Sequence, residues 1–161
     1  MTNLYVSCYE FKVNEYKNFH CTLTELKKFK GNKISLCNMS LGNLKADIFT
    51  ELFDILSEKI GIQTLKLNSN ALWILSENNH DKLGIFLKFI KNCNIEELIL
   101  DGNYFYKSPD VVNKIIKEYI ENPNLKNLSL KNNDLNLTNF PYNEHLSKPE
   151  KTTINKLYYN I

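Results

Sequence analysis

The chain has 161 residues, 43% of them hydrophobic, and a formal net charge of +2. That length is ordinarily one domain with one continuous core, and so small a charge gives no broad field for a polyanionic partner. Every basic residue is lysine and none is arginine, which removes the bidentate guanidinium fork from any binding or catalytic scheme.

One apolar pattern runs through the predicted elements. Leu4, Val6 and Phe11 carry its first copy, with Tyr9 in a slot that later holds asparagine. Thr22 and Glu25 then have capping-box spacing before Leu26 and Phe29, which predicts a helix start. Ile34, Leu36 and Leu41 form the second copy, with Met39 in the slot. Phe49, Leu52, Phe53, Leu56 and Ile60 keep helical spacing, and Gly61 stands where a C-cap glycine belongs. The third copy, IQTLKLNSNAL, is complete at Ile62, Leu65, Leu67, Asn70 and Leu72. Leu83, Phe86, Leu87 and Ile90 predict the next helix.

The fourth copy, IEELILDGNYF, has Ile95, Leu98, Leu100, Asn103 and Phe105. Ser108 and Pro109 then read as an N-cap and a first helical position. Val112, Ile115, Ile116 and Tyr119 continue that helix, and Pro123 closes it. LKNLSLKNNDL supplies the fifth copy at Leu125, Leu128, Leu130, Asn133 and Leu135. From Asn136 to Thr153 the chain holds Pro141, Pro149 and no apolar stripe, which predicts an irregular segment in place of the last helix. Ile154, Leu157 and Tyr159 restart the pattern as a terminal strand. The first strand position of each copy is thus 4, 34, 65, 98, 128 and 157, with steps of 30, 31, 33, 30 and 29 residues.

The pattern L-x-x-L-x-L-x-x-N-x-L resembles the leucine-rich repeat, and a strand and helix in about thirty residues resemble its ribonuclease-inhibitor-like class. The resemblance implies an α/β solenoid of about five to six repeats, in a single domain spanning 1–161. Parallel strands would line its concave face and helices its convex face. One strand and one helix cannot cover their own apolar surface, so neighbouring repeats must stack. Asn70, Asn103 and Asn133 would satisfy backbone groups where the chain leaves each strand, which Met39 and Tyr9 cannot do. The class contains tropomodulin-type actin cappers, Ran GTPase-activating proteins, ubiquitin-ligase receptors and microbial effectors, and no motif here separates them.

The residue types that carry chemistry are scattered. His20, His80 and His145 fall in three different inter-strand segments and read as surface histidines. Cys8, Cys21, Cys37 and Cys93 lack C-x-x-C pairing and nearby histidines at zinc spacing, so no metal is expected, and without a secretory signal they read as reduced thiols rather than two disulfides. Cys37 is the thiol whose phase points to the concave side. Glu96 and Glu97 alternate in direction and cannot act as a carboxylate pair. No phosphate loop appears, and Glu97 and Asp101 interrupt the strand lysines, against nucleic-acid binding. The sequons at Asn38, Asn127 and Asn136 read as accidents of an asparagine-rich chain. Without a secretory start or a long apolar run, a cytoplasmic location and no membrane partner are expected.

The useful surface is the outward row between the two strand leucines: Tyr5, Ser35, Lys66, Ile99, Ser129 and Tyr158. A parallel row one step later is Ser7, Cys37, Asn68, Asp101, Lys131 and Asn160. Candidate partner-binding residues are Tyr5, Ser35, Lys66, Ile99, Asp101, Ser129, Lys131 and Tyr158, with Ile99 as an apolar anchor among charges. The expected function is a non-enzymatic module that binds another protein through these strands, without cofactor or small-molecule substrate. The alternatives are a structural subunit of a large assembly, or a GTPase-activating regulator of the Ran-specific type. The latter would have to act without an arginine finger.

Overall fold

In the computed structural model the backbone is described for residues 4–6, 10–13, 19–76, 80–135 and 156–158, and side chains for 19, 22–75 and 81–135. The strands there are β1 (Leu4–Val6), β2 (Glu10–Val13), β3 (Lys33–Leu36), β4 (Thr64–Lys66), β5 (Glu97–Ile99), β6 (Asn127–Ser129) and β7 (Lys156–Tyr158). They lie side by side in chain order in one sheet. The helices are α1 (Phe19–Lys28), α2 (Ala46–Glu58), α3 (His80–Asn92) and α4 (Pro109–Glu121).

In β4, β5 and β6 one inward leucine stands between two outward residues. Ile34, Leu65, Leu98, Leu128 and Leu157 stand in parallel register from β3 to β7. Leu36, Leu67, Leu100 and Leu130 are buried beside the described members of that column, and Leu41, Leu72 and Phe105 form a third buried layer. The helices close the other side of this core. Phe49, Leu52, Phe53 and Leu56 of α2 are buried, as are Leu83, Phe86 and Ile90 of α3 and Val112, Ile115, Ile116 and Tyr119 of α4. Phe53 meets Phe86 and Phe89 edge-on, with ring centroids 5.3 and 5.1 Å apart. Offset and edge contacts of this kind suit the aromatic quadrupole and lock adjacent helices.

The first turn differs from the periodic expectation. Phe11, not Leu4, stands opposite Ile34, and the parallel ladder begins at β2. β1 folds back antiparallel on β2, with Leu4 opposite Val13 and Val6 opposite Phe11. Leu4, Val6, Phe11 and Val13 all obey period-two alternation, which suits a hairpin as well as a repeat strand.

Helix ends differ too. Thr22 is buried inside α1, which begins at Phe19, so Thr22 and Glu25 are not its capping box. Ile60 lies beyond α2 and is 94% exposed, while Gly61 sits at φ 86° past the helix rather than as its cap. The chain leaves α2 at Lys59, whose Nζ donates to the carbonyls of Lys27 (2.7 Å) and Phe29 (3.0 Å) at the end of α1. Burial, with Lys30 nearby, lowers the pKa of that ammonium. Asn122 repeats the device one helix pair later, donating to Ile90 O (2.6 Å) and Cys93 O (3.0 Å). Open helix carbonyls are thereby capped from the next repeat. Ser108 holds the N-cap place of α4 with Pro109 following, but its side chain makes no capping bond.

The strand exits share a backbone motif. Asn38, Ser69, Gly102 and Asn132 have positive φ, and so do Ser40, Ala71, Tyr104 and Asp134 two residues later. Between each pair lies the asparagine slot. Asn103 Oδ1 accepts from the Asn70 N–H (2.8 Å), and its Nδ2 donates to Leu67 O (2.9 Å) and Leu100 O (2.8 Å). Asn70 likewise accepts from Met39 N–H (2.8 Å) and donates to Leu36 O (2.6 Å). Asn133 accepts from Asn103 N–H (2.6 Å) and donates to Leu100 O (3.1 Å) and Leu130 O (2.9 Å). Each buried amide therefore serves the preceding turn, and those of Asn103 and Asn133 serve their own turn too, a ladder that offsets the left-handed residues around it.

Candidate functional site

The concave face is the outward side of the sheet. Backbone register places Lys12, Ser35, Lys66, Ile99, Ser129 and Tyr158 in its central row. Tyr5 pairs with Lys12 across the antiparallel hairpin, so Lys12 takes the row position expected for Tyr5. The side chains of Tyr5 and Tyr158 lie outside the described residues.

Exposure divides the candidates. Lys66, Ile99, Asp101 and Lys131 are half-buried and reach the surface. Ser35 is only 2% exposed and Ser129 only 7%. A serine hydroxyl stands barely above the backbone, and the register sets the longer Lys66 and Ile99 beside Ser35 and Ser129. Ser35 Oγ lies 3.3 Å from the thiol of half-buried Cys37. Ser129 Oγ donates to Asp101 Oδ1 (2.6 Å), which also accepts the Lys131 N–H (2.9 Å). Asp101 thus organises the end of β6 with its own carboxylate, rather than offering both oxygens to solvent.

A third row escaped the sequence reading. Lys33, Thr64, Glu97 and Asn127 stand in register along the other end of the strands. Period-two alternation taken one step before the first strand leucine identifies them. Thr64 Oγ1 donates to Glu97 Oε2 at 3.2 Å. Glu97, Ile99 and Asp101 therefore share one face of β5, with the isoleucine between two carboxylates. Glu96 points away, accepting from Lys126 Nζ at 3.1 Å on the exposed side. Among the described residues the face is consequently a mixed-charge surface with Ile99 as its apolar prominence.

Cys93 sits far from this face, buried beneath the end of α3, where burial pushes its thiol up to about 11. Among the described residues no group of histidine, cysteine and carboxylate side chains could hold a metal ion. No described helix is long and apolar enough to cross a membrane. His145 and the segment 136–153 lie outside the described residues, as do the side chains of His20 and His80.

No protein-family model and no curated protein matches the chain. Among solved structures it is similar to the leucine-rich repeat-containing protein LegL7 from Legionella pneumophila, with a TM-score of 0.57 and 20% sequence identity. The match covers 78% of this chain and 39% of that one, so the chain spans about two fifths of the length of LegL7. Sequential parallel strands, alternating helices and this likeness make the fold an α/β leucine-rich-repeat solenoid.

Proposed function

We propose that the chain is a non-enzymatic module that binds another protein through the concave face centred on Ile99. The observation that carries this reading is the half-exposed Ile99, held in a fixed strand register between Lys66 and Ser129 and flanked along β5 by Glu97 and Asp101. An apolar anchor ringed by charges is the usual composition of a binding hot spot. Adjacent parallel strands are about 4.8 Å apart, so one partner segment could meet Lys66, Ile99, Asp101 and Lys131 together. Ile99 would be desolvated, while Lys66 and Lys131 would set orientation and association rate. The buried hydroxyls of Ser35 and Ser129 would act by shaping the floor. Tyr5 and Tyr158 would extend the contact towards the ends of the sheet.

Affinity purification of tagged wild type, Ile99→Glu and Lys117→Glu tests this, with quantification of each co-purified protein. The expected result is a stoichiometric partner present with wild type and Lys117→Glu and depleted with Ile99→Glu. A hot-spot loss of about 2 kcal/mol corresponds to roughly thirtyfold in affinity. The reverse pattern, with the exposed Lys117 on α4 essential and Ile99 dispensable, contradicts the reading. It would favour a brace docked through its helices.

A further inference from the structure

A second surface lies at the edge of the solenoid, just beyond the C-terminal ends of β4 and β5. The 3-10 turns Leu72–Ser76 and Phe105–Lys107 are adjacent there. Trp73 and Tyr106 occupy the same place in successive repeats, each directly after the apolar residue that closes the strand exit. The preceding repeat has Gly42 at that place, where a Cβ would run into the Ala71 carbonyl. Among the described residues, large rings hold this place in these two neighbouring turns.

Lysine and strain complete the patch. Lys107 Nζ stands 4.5 Å from the centroid of the Trp73 ring, and 5.7 and 5.8 Å from those of Tyr104 and Tyr106. Among the described residues no carboxylate lies within ion-pair distance of it. Tyr104 has φ 59°, in the left-handed region where the equivalent residues are Ser40, Ala71 and Asp134. A bulky side chain there is costly, and burial does not offset the cost, because Tyr104 is 51% exposed and Tyr106 47%. Exposed aromatic side chains around a cation are the composition of a recognition site rather than of a core.

We propose that Trp73, Tyr104, Tyr106 and Lys107 form a binding site for a peptide segment that carries a carboxylate beside an apolar or aromatic residue. The carboxylate would complete the charge of Lys107 on the side away from the indole. The flanking apolar group would stack on the tyrosine rings, and the rings would shield the ion pair from water. A single cation among rings suits one carboxylate, whereas a nucleic-acid strand needs a basic track along its phosphates. The site does not depend on the concave face.

Trp73 is the only tryptophan in the chain, so its fluorescence reports from the site itself. The probes are a synthetic peptide of repeated Glu-Pro-Phe, its Gln-Pro-Phe counterpart and an oligouridine of similar length. The expected result is a saturable change in emission with the acidic peptide and at least tenfold weaker binding of the glutamine peptide. Lys107→Gln should reduce acidic-peptide binding to the level of the glutamine peptide, and Tyr104→Ala should weaken it severalfold. Both variants should keep the wild-type circular dichroism spectrum. Ile99→Glu should leave the titration unchanged. Equal binding of the two peptides overturns the proposal, as does no saturable change with either. Tighter binding of oligouridine, or loss of peptide binding in Ile99→Glu, would overturn it equally.

Discussion

At the scale of single residues, the asparagine ladder and the thiols carry sharp expectations. Asn103 is fully buried, and its amide joins the exit of β4 to that of β5. Asn103→Leu keeps the branching of the side chain but leaves the Asn70 N–H and the Leu67 carbonyl without their amide partner, at about 1–3 kcal/mol for each buried group left unpaired. Chemical denaturation should show a lower midpoint with an unchanged slope. Cys93 should resist alkylation in the folded protein, while half-buried Cys37 reacts, as site-resolved mass spectrometry would show. Burial raises the folded Cys93 thiol from 9.0 to about 11, so the unfolded chain gives up this proton first. The associated stability is complete below about pH 9 and is lost as pH rises from 9 towards 11. Cys93→Ala should have a flatter stability–pH profile across that window. The asparagines were legible because their side chain is the device. The left-handed positions were not, since Ser40, Ala71, Tyr104 and Asp134 share no chemistry that announces a positive φ.

At the scale of elements, the strands act as a column and the helices as its cover. Leu98 is fully buried between Leu65 and Leu128 in register. Leu98→Ala should cost about 2–5 kcal/mol, as truncation in packed cores does. Lys66→Ala, on the same rungs but facing outward, should change stability by less than about 0.5 kcal/mol. Equal denaturation midpoints for the two variants would contradict the register. The middle strands and helices were readable because a two-residue and a 3.6-residue period alternate without conflict. The first turn was not, because Leu4 and Val6 alternate in the same way as Phe11 and Val13, and alternation alone does not distinguish hairpin from ladder. The end of α2 was misread for another reason. Ile60 continues the helical spacing, but Lys59 reaches back to the carbonyls of α1 and turns the chain first.

At the scale of the whole molecule, stacking gives two kinds of surface. Strand register aligns Lys66, Ile99 and Ser129 across turns, so the concave row was visible in the sequence as a period-two offset from the leucines. Which of its members reach the surface was not visible, because that depends on the height of neighbouring side chains and on the bond from Ser129 to Asp101. The aromatic edge was missed because its residues follow no strand period. Trp73 and Tyr106 directly follow the last apolar position of successive copies, but the pattern does not say whether that place is covered or exposed. The two surfaces call for different partners or different parts of one, and they can be separated by position. The most direct measurement is site-specific photo-cross-linking in cells, with a cross-linking amino acid placed at position 99, 73 or 117 in turn. A discrete cross-linked protein is expected from position 99 and none from position 117 on α4. A discrete adduct from position 117 with none from position 99 would contradict the concave-face assignment.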